Sequence, residues 1–142
     1  MEHIINFSDY LKEEMSSDPS IIRKELIRLF GEGDVSRIDK FMDENNIDVN
    51  YDSGTLLRLS AKSGNLPLIK YLDEIGANWS LRRNLALKTA LSFGKLEAAK
   101  YILDQSNLTL QDIESIEEYI SSSDTSSPIE KSKAIELISL YK

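Results

Sequence analysis

Apolar positions along the chain recur at helical spacing and are punctuated by glycine. Leu66, Ile69 and Leu72 stand at i, i+3 and i+6, one face of a helix. Leu57, Ser60 and Ala61 form a face of the preceding segment, where small side chains let a second helix approach closely. Gly64 separates the two segments as a helix stop, because glycine takes the left-handed C-terminal conformation without a Cβ penalty. Pro67 falls in a first turn, where a missing N–H costs nothing. The pattern predicts two helices joined by a tight turn, closed by Gly76-Ala77-Asn78.

The unit recurs thirty residues later. Thr55 to Leu72 aligns with Leu85 to Ile102, setting Gly64 on Gly94, Leu66 on Leu96 and Lys70-Tyr71-Leu72 on Lys100-Tyr101-Ile102. A looser copy precedes it: Ile22, Leu26, Leu29 and Phe30, then Gly33, then Val35, Ile38 and Phe41, closed by residues 45–50. Downstream, Ile113, Ile116 and Ile120 mark one helix, and Pro128 opens another that carries Ala134, Ile135, Ile138 and Tyr141. That last pair keeps the order but not the motif, as a terminal capping unit does. Ser8 can cap a helix of about Asp9 to Met15, and Asp18-Pro19 caps the helix after it.

These residues resemble the ankyrin repeat. Thr55-Leu56-Leu57-Arg58-Leu59-Ser60-Ala61 stands where that family has Thr-Pro-Leu-His-x-Ala-Ala, and Asp48-Val49-Asn50 is similar to its Asp-Val-Asn closure. Leu56 and Arg58 replace the usual proline and histidine, and the second copy has neither the threonine nor the Pro-Leu-His. The period is thirty rather than about thirty-three, the shortfall lying between Asn50 and Thr55, so the β-hairpin fingers should be short or turn-like. Divergent repeats of this period are similar to those of large DNA viruses and some intracellular bacteria. The resemblance covers about residues 21–107.

The expected fold is all-α: an ankyrin-type helical repeat solenoid with short fingers, three to four helix pairs and an N-terminal helix. A single domain over 1–142 is expected, with an N-terminal helix in 1–20, repeats at 21–50, 51–80 and 81–107, and a degenerate capping pair at 108–142. The resemblance implies a protein–protein interaction module gripping a protein partner with its concave finger and helix surface, in the setting of a viral or pathogen effector or inhibitor. Carried over by position, that surface includes Tyr51, Asp52, Leu59, Lys62, Trp79, Arg82, Arg83, Ser92 and Phe93, with Ser63 and Thr89 along the helices.

Each of these has a structural alternative. Trp79, the only tryptophan, suits a binding hot spot or packing over Ala77. Arg82-Arg83 suits a partner's acids or plain solvation, and Phe93 a partner or the shelter of the C-terminal unit. Tyr71 and Tyr101 recur at equivalent positions and read as structural.

Charge narrows the partner. The net charge is −7 and uneven: residues 1–20 hold five acids and one base, residues 21–103 eleven acids and thirteen bases, residues 104–142 eight acids and three bases. Direct nucleic-acid binding needs a coherent basic face and is not expected. Asp104 to Asp124 carries six acids and no base, which suits either a solvated cap or a docking surface for a basic partner. The alternative function is thus an acidic nucleic-acid mimic that inhibits a DNA- or RNA-binding protein. The hydroxyl run Ser121 to Ser127 reads as a linker or a phosphate acceptor.

Chemistry has little to stand on. The chain has no cysteine, and its one histidine is His3. Adjacent carboxylates such as Asp73-Glu74 or Glu117-Glu118 do not face each other on a helix. Gly31-Glu32-Gly33 and Gly94-Lys95 lack the rest of a phosphate-binding loop. The expectation is a non-enzyme without cofactor or metal. No apolar run reaches about 18 residues, and the first residues do not read as a signal peptide. An intracellular, cytoplasmic monomer without membrane contact is expected, in the host cytoplasm if the source is viral, and the Asn-x-Ser/Thr triplets at Asn6, Asn78 and Asn107 read as chance.

Overall fold

The computed structural model describes residues 18–142, and the helix expected at Asp9 to Met15 lies outside them. Eight helices and no strand are found among the described residues. The chain divides into two compact units, Met1–Asp48 and Val49–Lys142, where the sequence reading expects one domain.

In the first unit, α1 (Pro19–Glu32) begins where Asp18 Oδ1 accepts the Ser20 N–H at 2.9 Å, with Pro19 in the first turn. Gly33 stops it at φ 75°, and its N–H returns to the Leu29 carbonyl. Asp34 then caps α2 (Val35–Glu44) by accepting the Arg37 N–H at 3.2 Å. The two helices pack together. Leu26, Leu29, Phe30, Ile38 and Met42 are buried, whereas Phe41 is half-buried; Met42, at i+4 from Ile38, takes the inward position. On the exposed side Arg28 bridges Glu25 and Glu32, and the Glu25 contact holds its guanidinium pKa above the usual range.

The second unit holds three helix pairs. They are α3 (Tyr51–Ser63) with α4 (Leu66–Glu74), α5 (Leu81–Ser92) with α6 (Leu96–Gln105), and α7 (Leu110–Ser122) with α8 (Pro128–Ser139). First helices pack on first helices, α3 on α5 and α5 on α7, and second helices on second helices, α4 on α6 and α6 on α8. The turns inside the first two pairs share their chemistry, with Gly64 at φ 69° and Gly94 at φ 71°. Asn65 Oδ1 accepts the Leu68 N–H at 3.2 Å to start α4.

The core of this unit follows the apolar stripes. Leu56, Leu57, Leu68, Ile69, Leu72, Leu87, Leu91, Ile102, Ile113 and Ile116 are at most 1% exposed. Each such side chain contributes about 1.5–3 kcal/mol on leaving water. Ala61, Ala86 and Ala90, all buried, keep the first helices close together.

The segments expected to be short fingers are left-handed turns. Asp52, Ser53 and Gly54 have φ of 51°, 55° and 92°, and thirty residues later Arg82, Arg83 and Asn84 have φ of 53°, 54° and 63°. Three residues per copy reverse the chain where a hairpin would need more. Thr55 braces the first turn by donating its hydroxyl to Asp52 O at 3.0 Å and Asp52 Oδ2 at 2.9 Å. Leu85 stands at the same place after the second turn and has no hydroxyl to offer. The two turns adjoin: a Cβ on Gly54 would meet Leu81 Cβ at 3.3 Å. Asn50 fastens the loops in place of hairpin hydrogen bonds, accepting the Asn78 N–H at 2.7 Å and donating to Gly76 O at 3.3 Å.

The last pair is capped differently. At α7 Thr109 Oγ1 accepts the Asp112 N–H at 3.1 Å while Asp112 Oδ2 accepts the Thr109 N–H at 3.0 Å, a closed capping box. Ser127 accepts the Glu130 N–H at 3.2 Å to start α8.

Candidate functional site

An open groove of about 880 Å³ runs beside the second left-handed turn. One part of its lining comes from the 77–80 loop and the turn itself, with Asn78, Trp79, Ser80, Arg83 and Asn84. The remainder comes from residues 105–108 and the start of α7, with Gln111, Asp112 and Ser115, and from Asp73 at the end of α4. The lining is set by the fold: the turn carries Arg83 outward, and the capping box fixes where α7 begins.

The groove's carboxylates are engaged. Asp73 Oδ1 accepts the Trp79 indole N–H and Oδ2 the Tyr101 hydroxyl, both at 3.0 Å. Burial, then the Asp73 contact, raises the Tyr101 pKa. Asp112 serves the capping box.

The cations differ. Arg83 is exposed, and no carboxylate lies within ion-pair distance of it among the described residues. Lys88, one turn beyond Asn84 on α5, is only 8% exposed and likewise has no carboxylate partner among the described residues. Its ammonium lies 5.4 Å from the centroid of the Tyr119 ring. Burial lowers its pKa, the Arg83 charge lowers it further, and Asp112 opposes both.

No family model matches the chain, and no curated protein or solved structure matches it either. The resemblance to ankyrin repeats therefore rests on the residues quoted above.

The structure separates the site residues expected from the sequence. Asp52, Arg82 and Arg83 are exposed in the two turns, and Lys62 is exposed on α3. Tyr51 and Leu59 are half-buried and do not line the groove. Lys62 holds its ammonium 5.2 Å from the centroid of the half-buried Phe93 ring, so these two residues stack on each other.

Three expectations are corrected. Trp79 is 5% exposed with its N–H bonded to Asp73, so it forms part of the groove floor and is no protruding anchor. Ser92 is 2% exposed, and Thr125 from the loop after α7 donates its hydroxyl to Ser92 O at 3.3 Å. That loop covers the end of α5 and takes Ser92 out of any partner's reach. Thr89, also buried, gives its hydroxyl to the Leu85 carbonyl at 2.8 Å.

The sequence reading missed Asn78, Asn84, Gln111 and Lys88 as groove or near-groove residues. Only Lys88 left a signal: it is the one charge in a run of α5, Ala86 to Ser92, that is otherwise apolar or hydroxylic, and it falls thirty residues after Arg58. Among the described residues no group of three or more His, Asp or Glu side chains could hold a metal ion, and no helix is long and apolar enough to cross a membrane.

Proposed function

We propose that the chain is an ankyrin-like interaction module that binds a protein partner. The observation that carries this reading is the groove of about 880 Å³ beside the Arg82–Asn84 turn, lined by amides, hydroxyls, the Asp73 and Asp112 carboxylates and an arginine that has no ion-pair partner among the described residues. Such lining offers donors and acceptors together, as a polypeptide surface requires. The thirty-residue repeat supports it from the sequence side, since repeat stacks present extended binding surfaces. The partner meets Asp52, Lys62, Arg82 and Arg83 as accessible side chains.

The reading as an acidic nucleic-acid mimic is less well supported. Of the six acids from Asp104 to Asp124, Asp104 binds Tyr141 and Lys100, Asp112 closes a capping box, and Glu117 pairs with Lys142 at 3.0 Å. Half of that charge is already engaged inside the chain.

The test is a pull-down with the whole chain, run in parallel with an Arg82→Ala/Arg83→Ala variant and a control variant at exposed Lys24. A stoichiometric protein retained by wild type and control and lost by the double variant is expected. Failure to retain any stoichiometric protein, or retention indifferent to both arginines, contradicts the reading.

A further inference from the structure

The inner side of α8, with Ala134 and Ile138 fully buried, packs on α5, α6 and α7. Opposite stand Ile129, Lys133, Glu136 and Leu140, all exposed. They follow at i, i+4, i+7 and i+11, the spacing of a two-helix seam, and at about 100° per residue they fall within an arc of about 60°. Leu140, just past the helix end, keeps helical φ and ψ of −66° and −16°, so the stripe runs through to it. Ile129 and Leu140 are 70% and 77% exposed, more than any other large hydrophobic side chain among the described residues. A single exposed leucine is ordinary. The order of these four residues is not, because the stripe matches itself when reversed. Its midpoint lies between Ala134 and Ile135, with Lys133 and Glu136 equally far on either side and Ile129 and Leu140 equally far beyond them. A second α8 laid antiparallel about a two-fold axis at that point sets isoleucine on leucine and lysine on glutamate, each contact occurring twice.

We propose that the outer face of α8 is a self-association surface, on which a second copy of this chain docks antiparallel through Ile129, Lys133, Glu136 and Leu140. Lys133 and Glu136 have no ion-pair partner among the described residues, so the docked copy supplies the first one for each. Parallel pairing sets lysine on lysine and glutamate on glutamate, and that repulsion fixes the antiparallel arrangement. The apolar ends supply the affinity, because exposed ion pairs contribute little beyond orientation. The stripe holds one positive and one negative charge, so the net charge of −7 lies elsewhere on the chain, where salt screens it over about 8 Å at physiological ionic strength. A contact through one short helix falls below the roughly 1,200 Å² of a standard interface, so the dimer is weak and the monomer is the dilute form. None of the four residues lines the groove, and the surface stands independently of the protein-binding reading.

Sedimentation equilibrium of the full chain at physiological salt, from about 10 μM to about 1 mM, tests this. Wild type is expected to move from monomer towards dimer across that range. Lys133→Glu and Glu136→Lys each place like charges at both central contacts and are expected to weaken the dimer about tenfold. Glu136→Lys does so although it makes the chain less negative, which separates the contact from overall repulsion. The double variant Lys133→Glu/Glu136→Lys keeps the net charge, restores the pairing with its signs exchanged and recovers wild-type association. An equimolar mixture of the two single variants associates more tightly than either alone. Leu140→Ser removes an apolar end from both outer contacts and weakens the dimer as well. All three positions are exposed, and recovery in the double variant and in the mixture shows that the single variants are folded. A monomer at every concentration, a dimer indifferent to these substitutions, or a double variant as weak as the single ones overturns the proposal.

Discussion

Trp79 donates its indole N–H to Asp73 Oδ1 at 3.0 Å, and the other oxygen of that carboxylate takes the Tyr101 hydroxyl at 3.0 Å. One side chain therefore ties the end of α4, the loop after it and the second helix of the next pair. Lys70 reinforces the same joint, with its ammonium 5.8 Å from the centroid of the Tyr101 ring. Asp73→Ala leaves two sheltered donors without an acceptor and is expected to cost roughly 1–3 kcal/mol, read from urea denaturation. Trp79 emission should shift to the red as the loop loosens. An unchanged midpoint and an unchanged spectrum would show that the bridge holds nothing.

The second left-handed turn carries more strain than the first. Arg82 at φ 53° lacks both a neighbouring glycine and the hydroxyl brace that Thr55 gives the first turn. A non-glycine residue in this region costs about 1–2 kcal/mol, against roughly 0.5–1 kcal/mol for the extra chain freedom of glycine. Arg82→Gly should therefore raise stability by up to about 1 kcal/mol, measured by chemical denaturation. A clear loss would mean that the arginine side chain makes stabilising contacts outweighing its backbone strain.

How far these features could be read in advance depends on how local their causes are. Helix stops at Gly33, Gly64 and Gly94 and starts at Asp18, Pro67 and Pro128 were legible because caps act within a few residues. A short connection between Asn50 and Thr55 was legible from the thirty-residue period, although its left-handed geometry was not. Trp79 was ambiguous for a physical reason: its neighbours Asn78 and Ser80 suit an exposed loop, and the bond that holds its indole goes to Asp73, which Tyr101 holds from the next helix pair. Ser92 looked accessible because the loop that covers it arrives 33 residues later. The groove escaped notice because its lining comes from five separated stretches that no local pattern brings together. Pairing of Lys62 with Phe93 and of Lys88 with Tyr119 likewise joins one helix pair to the next, at a spacing no local pattern encodes.

Ser92 supplies a test of the covering loop. Among the described residues its buried Oγ has no hydrogen-bond partner, and neither has that of Ser126 in the covering segment. An unmatched buried hydroxyl costs free energy, so Ser92→Ala is expected to leave stability unchanged or raise it by about 1 kcal/mol. Thermal denaturation of the variant measures this. Destabilisation by the same amount would show that the hydroxyl is bonded in solution.

The C-terminal end supplies a pH signature. Tyr141 donates its hydroxyl to Asp104 Oδ1 at 2.6 Å, and that bond, with burial and the carboxylate charge behind it, pushes the tyrosine pKa up to about 12. The same bond, with help from Lys100, lowers the Asp104 pKa. For the tyrosine, the folded state holds its proton more tightly than the unfolded chain, whose tyrosines titrate near the ordinary value of 10.0. Its contribution is thus complete below pH 10 and is lost as pH rises from there through about 12. For Asp104 the sign reverses: its contribution is present above the ordinary carboxylate value of 3.8 and fades as pH falls below it. Alkaline titration followed by tyrosinate absorbance should therefore show a late-ionising group that Tyr141→Phe removes. Asp104→Asn should move that group back toward 10, because a neutral amide neither repels the phenolate nor holds the proton as strongly. Tyr101, whose pKa is also raised, stays in both variants, so the readout is the change from wild type; if neither substitution alters the late step, the Tyr141–Asp104 bond does not hold the end of the chain in solution.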